Sequence, residues 1–126
     1  MEKRAKFSWR ARARSFIYAG RGVRVLLTEE HNARIHMVAA VVAILLGLLL
    51  GISAGEWVAI CICIGAVLMA EAFNTAIEAV CDLVSRERHP LIARAKDVAA
   101  GGVLVMAVAA LITGIIIFLP KIIPLL

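Results

Sequence analysis

The chain has 126 residues, of which 63% are hydrophobic and only 18% are charged, with a net charge of +5. An ordinary soluble domain is about half apolar and a quarter charged, and a single domain of this length has too little interior to bury such an excess. The composition therefore excludes a soluble enzyme, a disordered tail and a disulfide-stapled secreted scaffold, and it predicts one all-α integral membrane domain over residues 1–126.

The first segment, residues 1–34, is strongly basic. It holds nine of the 14 Lys and Arg residues, and its apolar and cationic side chains alternate at roughly helical spacing. This pattern predicts an amphipathic helix that lies on the membrane surface, with Trp9 and Tyr18 as interfacial anchors. Because no nucleic-acid-binding motif accompanies the basic residues, we expect lipid headgroups and no nucleic acid as their partner.

Three apolar runs follow, and each approaches or exceeds the length of about 20 residues that crosses a bilayer. They predict transmembrane helices over residues 35–54, 56–84 and 97–119. Four more basic residues lie in the loop between the second and third runs, and only one lies after residue 96. Because Lys and Arg concentrate on the cytoplasmic side, the N-terminus and this loop are predicted to be cytoplasmic.

The second apolar run contains polar residues at positions 0, +3, +7 and +11, namely Glu71, Asn74, Glu78 and Asp82. At 100° per residue they fall on one stripe of roughly 80°. Charged groups inside a membrane are costly, so this stripe is a candidate functional site. Carboxylates at this depth can act as a general base, or they can hold Mg²⁺ together with oxygens of a phosphate-bearing substrate.

The loop after this helix brings cations and further polar groups to the cytoplasmic end: Arg88, His89, Arg94, Lys96 and Asp97. Cations can hold phosphate oxygens, so carboxylates and cations together suggest ATP-dependent phosphoryl transfer to an acceptor dissolved in the membrane. Two other classes fit the same residues. The carboxylates could form the path of a small proton-coupled transporter, or they could pair with Arg and Lys to hold a non-catalytic assembly together.

A second polar group precedes the first span and comprises Glu30, Asn32, Arg34 and His36. Glu30 and Arg34 are spaced i, i+4, so they could simply pair on a helix. The four residues could instead add ligands and charges to the cytoplasmic site. The sequence leaves both interpretations open.

The segment Glu71-Ala-Phe-Asn74-Thr-Ala-Ile-Glu78-Ala-Val-Cys-Asp82 and the downstream Lys96-Asp97 pair resemble the signature of the prokaryotic diacylglycerol kinase family, which includes undecaprenol kinases. The resemblance extends over essentially the whole chain, including Phe16-Ile-Tyr18-Ala-Gly-Arg-Gly22. It implies a lipid kinase of the bacterial inner membrane with three transmembrane helices and an N-terminal surface helix. It also implies a homotrimer whose active sites are shared between protomers.

The resemblance also implies a role for individual residues. Glu71 matches the family's catalytic base, and Asn74 matches an amide that orients Glu71 or the acceptor. Glu30 and Glu78 match the carboxylates that hold Mg²⁺ with the ATP phosphates. The positions that the resemblance places at the nucleotide are Tyr18, Glu30, Glu78, Glu87, His89, Lys96 and Asp97.

Other positions bear on the lipid substrate or support the site: Asn32, Arg34, His36, Asp82 and Ala100. Family members that act on diacylglycerol carry Glu at the position of His36 and Ser at that of Ala100. This chain has His and Ala there, as the undecaprenol kinase branch does. The resemblance therefore favours undecaprenol as the lipid alcohol, with diacylglycerol as the alternative.

Overall fold

The computed structural model describes residues 3–126, and the regular structure of these residues is entirely helical. Helix α1 covers Trp9–Glu29, α2 His31–Leu50, α3 Ala54–Val84 and α4 Pro90–Ile122, and a short 3₁₀ turn over Ile123–Leu125 follows. Helices α2, α3 and α4 are long and apolar enough to cross a membrane. The prediction of an all-α protein with three helices of membrane-spanning length and composition is confirmed.

The helix boundaries follow from local capping groups. Ser53 accepts a hydrogen bond from the backbone N–H of Glu56, and the Glu56 carboxylate accepts one from the Ser53 N–H, so a capping box starts α3. Gly51 ends α2 with a φ of 64°, a left-handed conformation that glycine adopts without steric cost. The turn between α2 and α3 is therefore only three residues long, and the two helices are antiparallel neighbours.

Helix α4 begins seven residues earlier than the predicted third span. The His89 ring accepts a hydrogen bond from the Leu91 N–H, and Pro90 occupies the first helical turn. Proline is well suited to that position because its missing N–H would lack a partner there anyway. Arg94 and Lys96, which we expected in a loop, therefore lie on the first two turns of α4.

Helix α3 is the central element, because α4 packs mainly against it and α2 packs against it from another side. At the turn that joins α2 and α3, a small core consists of Ile52, Ile60, Ile117 and Phe118. An ion pair lies at the same end, where Lys121 Nζ is 2.6 Å from Glu56 Oε2. Because the helices alternate in direction, the polar end of α3 lies at the opposite end of the bundle, beside the start of α4.

Candidate active site

Glu71 is the one buried charged side chain among residues 3–126, with a relative exposure of 2%. Its Oε1 lies 3.2 Å from His36 Nε2, which is within ion-pair distance. The ring is not aligned for a hydrogen bond, so Oε1 has no hydrogen-bond partner in the described part of the chain. Glu30 and Glu78 lie close enough for their charges to act on this carboxylate. The structure thus places a buried carboxylate beside an imidazole, and the charges of two further carboxylates act on it from farther away.

The sequence of α2 explains how His36 reaches Glu71. Ala33 and Ala40, three residues before and four residues after His36, are both buried. Residues at this spacing share one face of a helix, and small side chains on that face allow close approach of a neighbouring helix in a membrane. His36 is therefore held at the α2–α3 contact, where its side chain remains 24% exposed.

Glu30 lies at the junction of α1 and α2, where it is the last cap of one helix and the first cap of the next. Its side chain makes no capping hydrogen bond. The described residues contain no ion pair between Glu30 and Arg34, whose backbone N–H donates instead to the Glu30 carbonyl. The simple i, i+4 pair that the spacing allowed is absent there, and the carboxylate is left available to the site.

Two polar atoms next to Glu71 on α3 are buried without a hydrogen-bond partner within residues 3–126: Asn74 Oδ1 and Thr75 Oγ1. Both residues lie one helical turn from Glu71, so their side chains and the Glu71 carboxylate are neighbours on the helix surface. Asn74 belongs to the predicted stripe. Thr75 was missed from the sequence, although its hydroxyl at i+4 from Glu71 was a signal that could have been used.

A second cluster lies at the cytoplasmic end predicted for α3. Lys96 Nζ donates to Asp82 Oδ1 over 2.8 Å and so links the start of α4 to the end of α3. Beside this pair is a cavity of about 240 Å³ whose lining includes Glu87 and His89. The cavity thus brings together three of the predicted nucleotide-binding residues: Glu87, His89 and Lys96. At 1.5 Å per residue, Asp82 lies about 16 Å along α3 from Glu71, with Glu78 between them.

The remaining predicted site residues are exposed in the protomer and line neither the buried position nor this cavity: Tyr18, Asn32, Arg34, Asp97 and Ala100. The ring of Tyr18 contacts Arg21 on the same helix, with the guanidinium carbon 5.8 Å from the ring centre. The single protomer therefore does not bring all predicted residues together.

An apolar groove of about 590 Å³ lies between α2, α3 and α4. Nearly all of the side chains that line the groove are apolar, and His36 is the one histidine among them. The groove therefore joins an apolar surface to the position where His36 meets Glu71.

Metal ligands are sparse in this structure. No group of three or more His, Cys, Asp or Glu residues within residues 3–126 is arranged to hold a metal ion on its own. Mg²⁺, however, commonly takes only one or two protein carboxylates and completes its shell with water and substrate phosphates. Glu30 and Glu78, whose charges act on Glu71, supply carboxylates of that kind.

Residues 17–118 match the family model described as prokaryotic diacylglycerol kinase. The chain belongs to this family. It is 44% identical to an undecaprenol kinase of Bacillus subtilis over 86% of this chain and 88% of that protein. It is 38% identical to a diacylglycerol kinase of Synechocystis over 88% of this chain and 64% of that protein. A diacylglycerol kinase of Escherichia coli is 33% identical over 76% of this chain and 79% of that protein.

These relatives confirm two of the sequence predictions. The family resemblance is correct, and the lipid kinase class is confirmed at the level of the family.

Proposed function

We propose that the protein transfers the γ-phosphoryl group of ATP to the terminal hydroxyl of a membrane lipid, with undecaprenol as the favoured acceptor. The observation that carries this proposal is the buried Glu71 carboxylate, whose Oε1 lacks a hydrogen-bond partner within residues 3–126 and lies 3.2 Å from His36. A carboxylate buried inside a membrane helix is energetically costly, and such residues commonly belong to a functional site. The apolar groove that reaches His36 is consistent with an acceptor that carries a long apolar chain.

In the proposed reaction Glu71 is the general base. It takes the proton of the lipid hydroxyl while that oxygen forms a bond to the γ-phosphorus. The bond between this phosphorus and the bridging oxygen of the β-phosphate breaks, and ADP leaves with that electron pair. Most of the barrier reduction in phosphoryl transfer comes from positioning and electrostatic stabilisation, and proton transfer adds to it. His36, whose Nε2 lies 3.2 Å from Glu71 Oε1, would help to hold the carboxylate in position.

Mg²⁺ is the metal that fits the carboxylates of Glu30 and Glu78, and when bound it would neutralise charge on the ATP phosphates. Asn74, one turn from Glu71, is placed to orient the carboxylate or the acceptor. Lys96, Glu87 and His89 line the cavity at the end of α3 and are proposed to bind the nucleotide. Lys96 would act there as a point charge for phosphate.

The orientation follows from charge. The basic residues cluster at the N-terminus and around the start of α4, whereas Lys121 lies at the opposite end of the bundle and pairs with Glu56. We therefore propose that α1 lies on the cytoplasmic surface of the bacterial inner membrane, where its Arg residues meet anionic headgroups. This places the polar end of α3 on the side that contains ATP.

A homotrimer is proposed as the active form. Asp82 is 53% exposed, and the predicted residues Tyr18, Asn32, Arg34, Asp97 and Ala100 are also on the surface of the protomer. Polar side chains in membrane helices face other helices or a water-filled site, so a second copy packed on this face would complete the site. The number of three rests on the family resemblance.

A radiolabelled phosphate transfer assay tests the acceptor. ATP labelled on its γ-phosphate is supplied with undecaprenol and diacylglycerol in the same mixed micelles, and the labelled lipids are separated. We expect undecaprenyl phosphate as the main product, in agreement with the 44% identity to the Bacillus subtilis undecaprenol kinase. Preference for diacylglycerol would transfer the assignment to the alternative acceptor, and label in neither lipid would refute the kinase proposal.

A further inference from the structure

The hydroxyl of Thr75 differs from every other Ser or Thr hydroxyl in this chain. The sequence contains seven Ser and Thr residues, and all lie within the described range. Ser15, Thr28 and Thr113 each donate to the carbonyl four residues earlier, at 3.1, 2.7 and 2.9 Å. The other three accept backbone N–H groups near helix ends, namely Ser8, Ser53 and Ser85. Thr75 Oγ1 alone is buried and has no partner among residues 3–126.

The unpaired hydroxyl of Thr75 is energetically unfavourable. A buried hydroxyl without a hydrogen bond costs about 1–3 kcal/mol, and a threonine inside a helix normally avoids that cost by bonding to its own i−4 carbonyl. Thr75 could do so toward the Glu71 carbonyl but does not. The hydrogen-bonding capacity of this hydroxyl is therefore unmet among residues 3–126, and a group from outside the protomer could satisfy it.

The chemistry of the neighbouring atoms defines that group. Glu71 Oε1 and Asn74 Oδ1, one turn away, are buried acceptors that also lack a partner in residues 3–126, whereas Thr75 Oγ1 can donate. A group that serves Glu71 and Thr75 must donate one hydrogen bond and accept another, and Asn74 Oδ1 is left for a second donor. An alcohol does both: it donates its proton to a carboxylate, and one of its two oxygen lone pairs accepts from a hydroxyl.

We propose that Thr75 is a substrate-binding residue whose Oγ1–H donates to the hydroxyl oxygen of the lipid, while that hydroxyl donates to Glu71 Oε1. This inference rests on the proposed function. Thr75 would donate to one lone pair of the acceptor oxygen, and the Glu71 carboxylate would accept its proton. These two hydrogen bonds orient the oxygen so that its second lone pair is directed at the γ-phosphorus. Such orientation of a nucleophile is a major part of the rate gain in reactions between two bound substrates.

A phosphate oxygen of ATP is the competing partner for the same donor. Thr75 lies four residues after Glu71 and three before Glu78, so carboxylates flank it on both sides of the helix face. Glu78 is proposed to hold Mg²⁺ and the phosphates, whereas Glu71, one helical turn from Thr75, is proposed to meet the lipid hydroxyl. The cavity with Lys96 lies further along α3, beyond Glu78. The lipid hydroxyl is therefore the better match.

The test compares Thr75→Val, which removes only the hydroxyl, with Thr75→Ser, which keeps it. Thr113→Val is the matched control, since Thr113 bonds to the Ala109 carbonyl away from the site. Steady-state kinetics in mixed micelles give kcat, the KM for lipid and the KM for ATP. Thr75→Val should lower kcat/KM for lipid about tenfold, the effect of one lost hydrogen bond, with an unchanged KM for ATP. Thr75→Ser and Thr113→Val should stay close to the wild type.

Three results would overturn this role of Thr75. They are an unchanged kcat/KM for lipid in Thr75→Val, a rise in the KM for ATP in place of the lipid effect, or a loss in Thr75→Ser equal to that in Thr75→Val. If Thr75→Val does not assemble, Thr75→Ala removes the same hydroxyl and replaces it in the comparison. A wild-type protein that labels no lipid refutes the proposed function itself, whereas an active wild type with an unaffected Thr75→Val refutes only this inference.

Discussion

Glu71→Gln is the most direct test of the proposed base. Glutamine has nearly the same size and shape as glutamate, so the change removes the basic oxygen without leaving a cavity at a position that is only 2% exposed. The amide oxygen can still accept a hydrogen bond from the lipid hydroxyl. We therefore expect kcat to fall with little change in the KM for lipid, the pattern of a group that acts in the transition state.

The size of the loss follows from what else could accept the proton. A general base must come within about 3.2 Å of the group it deprotonates. The next carboxylate on the same face of α3, Glu78, is seven residues away, or about 10 Å along the axis. It cannot replace Glu71 without unwinding the helix. The expected loss in kcat is the range for a general base, about 10²–10⁴-fold or about 3–5 kcal/mol, and it lies toward the lower end if His36, 3.2 Å from Glu71 Oε1, accepts part of the proton.

The assay is transfer of labelled phosphate from ATP at saturating lipid and nucleotide, with the assembly checked by size-exclusion chromatography in detergent. Glu56→Gln is the matched control because it removes a carboxylate from the other end of the same helix, where it pairs with Lys121. That variant should lose some stability but keep its turnover. Wild-type kcat in Glu71→Gln, or an equal loss of kcat in Glu56→Gln, would refute the assignment of Glu71 as the base.

Three further predictions concern the metal, the nucleotide and the packing. Glu78→Gln should raise the Mg²⁺ concentration needed for half-maximal activity, and an unchanged Mg²⁺ titration would exclude Glu78 as a ligand. Lys96→Gln should raise the KM for ATP about tenfold, and an effect on the lipid KM instead would contradict its place at the nucleotide. Gly47→Ala would bring a Cβ within 2.7 Å of Trp57 Cη2, so it should destabilise the protein by about 1–3 kcal/mol in a thermal unfolding assay. Gly65→Ala, which meets nothing within 4 Å, should not, and equal stability of the two variants would contradict the packing argument.

The three long apolar helices could be predicted because segments that cross a membrane appear in the sequence as long apolar runs. The residues at which these helices begin and end were harder to predict. The predicted third span began at residue 97, directly before the apolar run, but α4 starts at Pro90. Arg94 and Lys96 precede the apolar run but belong to the same helix, because arginine and lysine are good helix formers. Hydropathy located the membrane segment, whereas the His89 cap and Pro90 determine the helix.

The candidate site was predictable as a set of residues but not as an arrangement. Helical spacing placed Glu71 and Asp82 on one stripe, yet one is buried and the other is largely exposed. That difference depends on which helix packs against each turn of α3, and spacing within α3 carries no such information. The Lys121–Glu56 pair was missed for the same reason, since the two residues are 65 positions apart. Thr75 was missed because an intrahelical bond normally makes threonine unremarkable in an apolar helix.

The gradient of burial along α3 matches a division of tasks within the proposed reaction. The helix has 31 residues and is about 46 Å long, so it exceeds a hydrocarbon core of about 30 Å by about 16 Å, or about three turns. Glu71 is enclosed, whereas Asp82 is 53% exposed and lies beside Lys96 and the loop cavity. In the proposed reaction the lipid hydroxyl would reach Glu71 from within the membrane, and ATP would reach Lys96 from water. Helix α3 is long enough for one face to run from the apolar layer into the proposed cytoplasmic interface. The same helix could therefore position both the lipid hydroxyl and ATP.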